Sequence, residues 1–208
     1  HYAAQIPGPF PVNSQMSCTV TPFDGTDSGI VASASVAIDN TPPTVQSIVL
    51  QPTIAYADDV LSANVVLSDI DLEHQPTGLY EWHVIDENGI DTMVKSGTSE
   101  SLEGGVYFTR DQLVYVVVTP SDGLESGVSM NSTTVAIANS VPSDPSLSLH
   151  HTGQTNNPLA GQDEVICAID TPATDVDGDP ILYTYEWYID AEVAPQQVSG
   201  PTTSLTDS

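Results

Sequence analysis

The string Val-Thr-Pro-Phe-Asp-Gly at Val20–Gly25 returns as Val-Thr-Pro-Ser-Asp-Gly at Val118–Gly123, 98 residues later. A motif that recurs at a long, fixed spacing means that one supersecondary unit is used again. Three more pairs obey the same rule. SVAIDNTPPT (Ser35–Thr44) corresponds to TVAIANSVPS (Thr134–Ser143) at an offset of 99. LYEWHV (Leu79–Val84) corresponds to TYEWYI (Thr184–Ile189) at 105, and DID (Asp69–Asp71) to DVD (Asp175–Asp177) at 106. The 208 residues are therefore laid out on a unit of about 100.

The unit reads as β-structure. QLVYVVVT (Gln112–Thr119), STTVAIA (Ser132–Ala138) and VLSANVVL (Val60–Leu67) are short and rich in β-branched residues. Clusters of Pro, Gly, Asp and Asn punctuate them, and no stretch carries a 3.6-residue apolar period. Short strands closed by turns, in a unit of this size, predict an all-β fold of tandem immunoglobulin-like β-sandwiches. The NTPP and NSVP segments read as joints, because proline fixes φ and cannot extend a sheet ladder. The expected layout is one complete domain, 41–140, between two partial ones. Residues 1–40 would hold the last strands of a preceding domain, and residues 141–208 the first strands of a following one. The chain begins with His1, so it is expected to belong to a longer reading frame. A half-sandwich leaves an apolar face and unpaired edges exposed. The two partial domains are accordingly expected to be completed head-to-tail, by copies of the chain or by adjacent repeats, the strand-addition mode of association.

Charge narrows the function classes. There are 28 Asp and Glu against two cations, Lys95 and Arg110, for a formal net charge of −26. Such a field repels a nucleic-acid backbone and an anionic membrane surface. No run of 18 apolar residues offers a membrane span. Self-repulsion of this size is relieved by salt or by divalent cations, which points to an extracellular or cell-surface location.

The Asn-Thr-Pro joint, DVDGDPILYTYEW at Asp175–Trp187 and VTPSDG at Val118–Gly123 resemble the tandem repeats of bacterial extracellular surface proteins, the PKD and bacterial cadherin-like groups. The resemblance spans nearly the whole chain. It implies an extracellular array that acts as a stalk, filament or adhesin, in some members with calcium. In cadherin-like repeats a matching Asp-x-Asp contributes to inter-domain calcium.

Several residues stand out as site candidates. Asp175, Asp177 and Asp179 alternate around Gly178 ahead of a strand, a spacing of hard oxygen ligands able to wrap Ca²⁺. Asp69 and Asp71, with Glu73, form the weaker counterpart, and Asp39 and Asn40 of the joint could add oxygens. The alternative for both sets is a solvated turn held by Asx hydrogen bonds. Cys18 lies on a penultimate strand and Cys167 on an early strand 20 residues before Trp187, the positions an immunoglobulin domain joins across its sheets. In the middle unit these positions map to Val116 and Ser62. The cysteines belong to different domains, so they are expected to pair between subunits or between repeats. The alternative is two unpaired thiols. Trp82 and Trp187, each one residue past a Glu, are expected to pack into a sandwich core, with sugar stacking as the alternative. Asp24 and Asp122 read as turn residues, His150 and His151 as surface residues on opposite strand faces, and Asn131 as a glycosylation acceptor pattern.

No nucleophile elbow, zinc-protease helix, phosphate loop or dinucleotide fingerprint occurs. The acid pairs sit in turns without a His or Lys to tune them. The expectation is a non-enzymatic structural segment of a filament, stalk or adhesin, with a glycan- or protein-binding module as the alternative.

Overall fold

The computed structural model describes residues 3–71, 75–154, 156, 163–189 and 192–193. It is all-β, with no helix among the described residues. The first strands are β1 (Gln15–Val20) and β2 (Ala32–Ala37). Then come β3 (Thr44–Gln51), β4 (Ala55–Tyr56), β5 (Val60–Ser68), β6 (Thr77–Ile85), β7 (Asp91–Gly97) and β8 (Ser101–Glu103). The rest are β9 (Leu113–Ser121), β10 (Met130–Asn131), β11 (Val135–Ala138), β12 (Ser146–His151), β13 (Val165–Thr171), β14 (Tyr188–Ile189) and β15 (Glu192–Val193).

Two sheets share the main core. One has the order β3-β5-β8, the other β4-β11-β9-β6-β7, with β10 also pairing β9. Strand alternation explains which residues meet. In β6, Tyr80, Trp82 and Val84 are buried while Leu79 and Glu81 are not. In β9, Val114, Val116 and Val118 point the same way and are fully buried. Leu50 of β3, Leu61 and Ala63 of β5 and Leu102 of β8 close the core from the other sheet. Trp82 is 0% exposed and donates its indole N–H to the Ser99 carbonyl at 3.1 Å. Removing a ring of its size from water contributes about 4–6 kcal/mol of gross transfer free energy. Every residue of this core cluster falls between Val45 and Ile137.

Three two-stranded ribbons complete the described structure: β1-β2, β12-β13 and β14-β15. The second YEW copy differs from the first. β6 is bonded on both sides, to β7 and to β9. In the second copy only Tyr188–Ile189 is strand, paired with Glu192–Val193. The sequences are alike, but a strand needs a ladder partner to satisfy its backbone, and the second copy has one only at its end. Trp187 is half-buried where Trp82 is sealed.

Candidate functional site

The repeated turns are built alike, atom for atom. In the first copy, Asp24 Oδ1 accepts the backbone N–H groups of Thr26 and Asp27, both at 2.9 Å. Gly29 N–H donates to the Pro22 carbonyl at 2.8 Å. In the second, Asp122 Oδ1 accepts from Leu124 and Glu125, both at 2.7 Å, and Gly127 N–H donates to the Pro120 carbonyl at 2.9 Å. The glycines take left-handed φ, +103° at Gly25 and +88° at Gly123, which a side chain would strain. These backbone donors hold both carboxyls below the usual aspartate range. For Asp24 the Asp27 N–H is the largest cause; for Asp122 it is the Glu125 N–H, followed by the Asn40 amide.

The Asp-x-Asp turns repeat the same economy at the joints. Asp69 Oδ1 accepts from Asp71 N–H at 2.8 Å, and Asp71 Oδ2 accepts the Thr41 N–H of the joint at 2.7 Å. At the second joint Asp175 Oδ1 accepts from Asp177 N–H at 2.8 Å and from Asp179 N–H at 3.3 Å. Asp177 Oδ2 accepts the Ser140 N–H at 2.6 Å. Thr41 and Ser140 are themselves counterparts at the offset of 99. The joint side chains then differ. Asn40 Nδ2 donates to Asp122 Oδ2 at 2.8 Å and to Glu125 Oε2 at 3.3 Å. Asn139 instead accepts from Arg110, whose guanidinium also bonds Asp179 and lies 3.3 Å from Asp111. Asp179 is the foremost reason that the Arg110 pKa is raised.

Arg110 is the contact between turns that motif reading missed. Its signal in the sequence is rarity, since it is one of two cations among 28 acids. A cleft of about 590 Å³ opens beside it, lined by Asp58, Asp86, Asp111 and Asp177 among others. The arginine thus ties the loop after β8 to the Asp-rich turn that follows β13.

Asp175, Asp177 and Asp179 come together: Asp175 Oδ1 and Asp177 Oδ2 accept backbone N–H groups and Asp179 bonds Arg110, while Asp177 Oδ1 is buried without a partner. Asp69 Oδ1 and Asp71 Oδ2 likewise accept backbone N–H groups, Asp69 Oδ2 is buried without a partner, and Glu73 lies outside the described residues. Among the described residues no group of three or more acids, His or Cys stands in a metal-holding arrangement. Asn40, expected at the joint, does contact the neighbouring turn, whereas Asp39 is exposed.

The cysteines are both free, Cys18 exposed and Cys167 half-buried. The counterpart of Cys18, Val116, is fully buried, as an inter-sheet position must be. Ser62 is not the counterpart of Cys167. It is exposed, while Leu61 and Ala63 on either side are buried. The offset of 105 belongs to the YEW segment; the DxD offset of 106 puts Cys167 at Leu61. A slip of one residue reverses the face.

Trp82 is sealed in the core and offers no platform to a sugar. His150 and His151 do face opposite ways, as their register across from Ile166 and Val165 requires. His151 is half-buried rather than exposed, and its Nδ1 has no partner. Asn131 is exposed on β10. No protein-family model matches the chain, and no curated protein matches it.

Proposed function

We propose that this chain is a structural segment of an extracellular filament, stalk or adhesin built from immunoglobulin-like repeats, and that its work is reach and stiffness. The carrying observation is the repeated lock on the joints: Asp71 on Thr41 N–H and Asp177 on Ser140 N–H. A proline-stiffened linker whose backbone is pinned by a carboxylate transmits orientation from one unit to the next. Two arrangements support the reading. The order β3-β5-β8 against β4-β11-β9-β6-β7 agrees with what an immunoglobulin-like sandwich would require. In addition, β4, near the start of the unit, runs parallel to β11 at its end, with Ile137 opposite Ala55 and Ala138 opposite Tyr56. Tension applied through the two joints loads such a pair in shear, across all its hydrogen bonds at once.

Small-angle scattering in dilute, reducing buffer tests the joint. Asp177→Ala with Arg110→Ala is expected to broaden the distance distribution and raise the radius of gyration, with the thermal transition of the main core unchanged. Scattering curves that superimpose on the unsubstituted chain overturn the stiffness reading.

A divalent cation at the joints is a second reading, favoured by one observation. Buried oxygens without partners occur at both: Asn40 Oδ1 and Asp69 Oδ2 at the first, Ser140 Oγ and Asp177 Oδ1 at the second. Titration calorimetry with Ca²⁺ on the chain and on an Asp175→Asn, Asp177→Asn variant decides it; equal heats remove the metal.

A further inference from the structure

The β1-β2 ribbon has two unlike faces. Residues opposite one another in an antiparallel pair share a face. Met16 lies opposite Val36, Cys18 opposite Ala34 and Val20 opposite Ala32, so one face is apolar throughout. Ser17 opposite Ser35 and Thr19 opposite Ser33 make the other polar. The apolar face is bare: Val20 is 60% and Val36 61% exposed. The β12-β13 ribbon is less sharply divided, with Ser148 opposite Ala168 and His150 opposite Ile166 on one face and a mainly apolar set on the other. Leu147 lies opposite Ile169, Leu149 opposite Cys167 and His151 opposite Val165. Leu149 is 68% exposed. Each bare face thus has a cysteine near its middle.

The middle unit shows what such faces pack against. β1-β2 repeats β9-β11 in register as well as in sequence: Met16 opposite Val36 reproduces Val114 opposite Val135, and Gln15 opposite Ala37 reproduces Leu113 opposite Ala136. In that unit Val114, Val116 and Val135 share one buried core with Leu50, Leu61 and Ala63 of β3 and β5. β3 and β5 are the counterparts of β12 and β13. One chain cannot close its own two ribbons. β2 leads into the joint beside Asp122, at the C-terminal end of β9, and β11 leads into the joint beside Arg110, ahead of its N-terminal end. Nine residues of strand separate these ends, about 30 Å.

Resting on the repeat reading above, we propose that the β1-β2 ribbon of one copy closes on the β12-β13 ribbon of a second copy, and that Cys18 and Cys167 then form a disulfide inside the composite core. Each thiol loses its proton and one S–S bond forms. The two electrons pass to a disulfide oxidant such as oxidised glutathione, which leaves as two thiols. Because every copy carries both ribbons, the contact is head-to-tail and does not close on itself, so it propagates.

The test uses the whole chain in a glutathione redox buffer, followed by denaturing electrophoresis without reductant. A ladder of covalent multimers that collapses on reduction is expected. Cys18→Ser and Cys167→Ser are each expected to stay monomeric alone and to give a single covalent dimer when mixed, since only the mixture holds one of each thiol. Leu149→Asp is expected to suppress the ladder while the thermal transition of the main core stays in place. Covalent dimers in either single variant alone would mean adventitious thiol pairing and overturn the proposal. So would a chain that remains monomeric in oxidising buffer, whether because its faces are covered by its own residues or by nothing. Loss of the ladder with joint scattering still responsive to Asp177→Ala retires this proposal and leaves the structural function standing.

Discussion

Trp82 is the residue on which the main core turns. It is sealed from water, its N–H is satisfied and β-strands flank it on both sides. Trp82→Ala is expected to cost about 3–5 kcal/mol in denaturant unfolding, because the cavity cannot collapse between two sheets; a loss below about 1 kcal/mol would contradict the packing. Titrating residues give a pH signature with a definite sign. Asp24, Asp86, Asp91, Asp122 and Glu103 all have folded pKa values below their ordinary ones. Their contribution is therefore complete above about pH 5 and is lost as pH falls through and below the ordinary carboxylate range. Tyr80 acts in the opposite sense. Burial first, then its bond to Glu100, pushes its phenol up to about 12, so its contribution is present below pH 10 and is lost as pH rises towards 12. In 1 M salt, which screens the general repulsion, unfolding free energy should decline below pH 4 and again above pH 10. Tyr80→Phe should make the alkaline arm shallower without removing it, because Tyr115, hydrogen-bonded to Asp91, is also pushed up to about 12, and should leave the acid arm unchanged.

At the scale of elements, the repeated turn is more than a sequence echo. Gly127 closes it where β10 meets the start of β3. A Cβ there would stand 1.8 Å from the Pro43 carbonyl oxygen, so the backbones themselves would have to part. Gly127→Ala is expected to destabilise the main core by about 2 kcal/mol or more, by calorimetric or denaturant unfolding. Its counterpart Gly29 would meet only the Pro22 ring, at 2.7 Å, which can yield. A smaller effect at Gly127 than at Gly29 would refute the close approach. Strands β5, β9 and β11 were legible from β-branched runs, and the Asx turns from Asp-Gly spacing. The second YEW segment was not, since strand formation depends on a hydrogen-bonding neighbour that a local pattern does not contain.

For the whole molecule, charge dominates. With −26 spread over 208 residues and Lys95 and Arg110 the only cations, compactness works against self-repulsion. Raising NaCl from about 10 mM to 1 M is expected to lift the thermal midpoint by roughly 4 °C or more, as screening shortens the Debye length from about 30 to 3 Å. A midpoint that falls with salt would show that the few ion pairs, Lys95–Glu103 and Arg110–Asp179, outweigh the repulsion.

The sequence by itself determined the repeat, the β-class, the alternation that buries Tyr80 and Trp82 together, and the turns at Asp24 and Asp122. These follow from local chemistry: strand period, proline φ, the reach of an Asp side chain to the next amides. Only the tertiary structure decided the rest. It assigned Asp71 and Asp177 to the joint backbone, brought Arg110 to Asp179 across 69 residues of chain, and showed that Cys167 shares the phase of Leu61 rather than Ser62. Those outcomes depend on which groups the folded chain brings within hydrogen-bonding distance and on a register where one residue reverses a face. Neither is written in any single stretch of sequence.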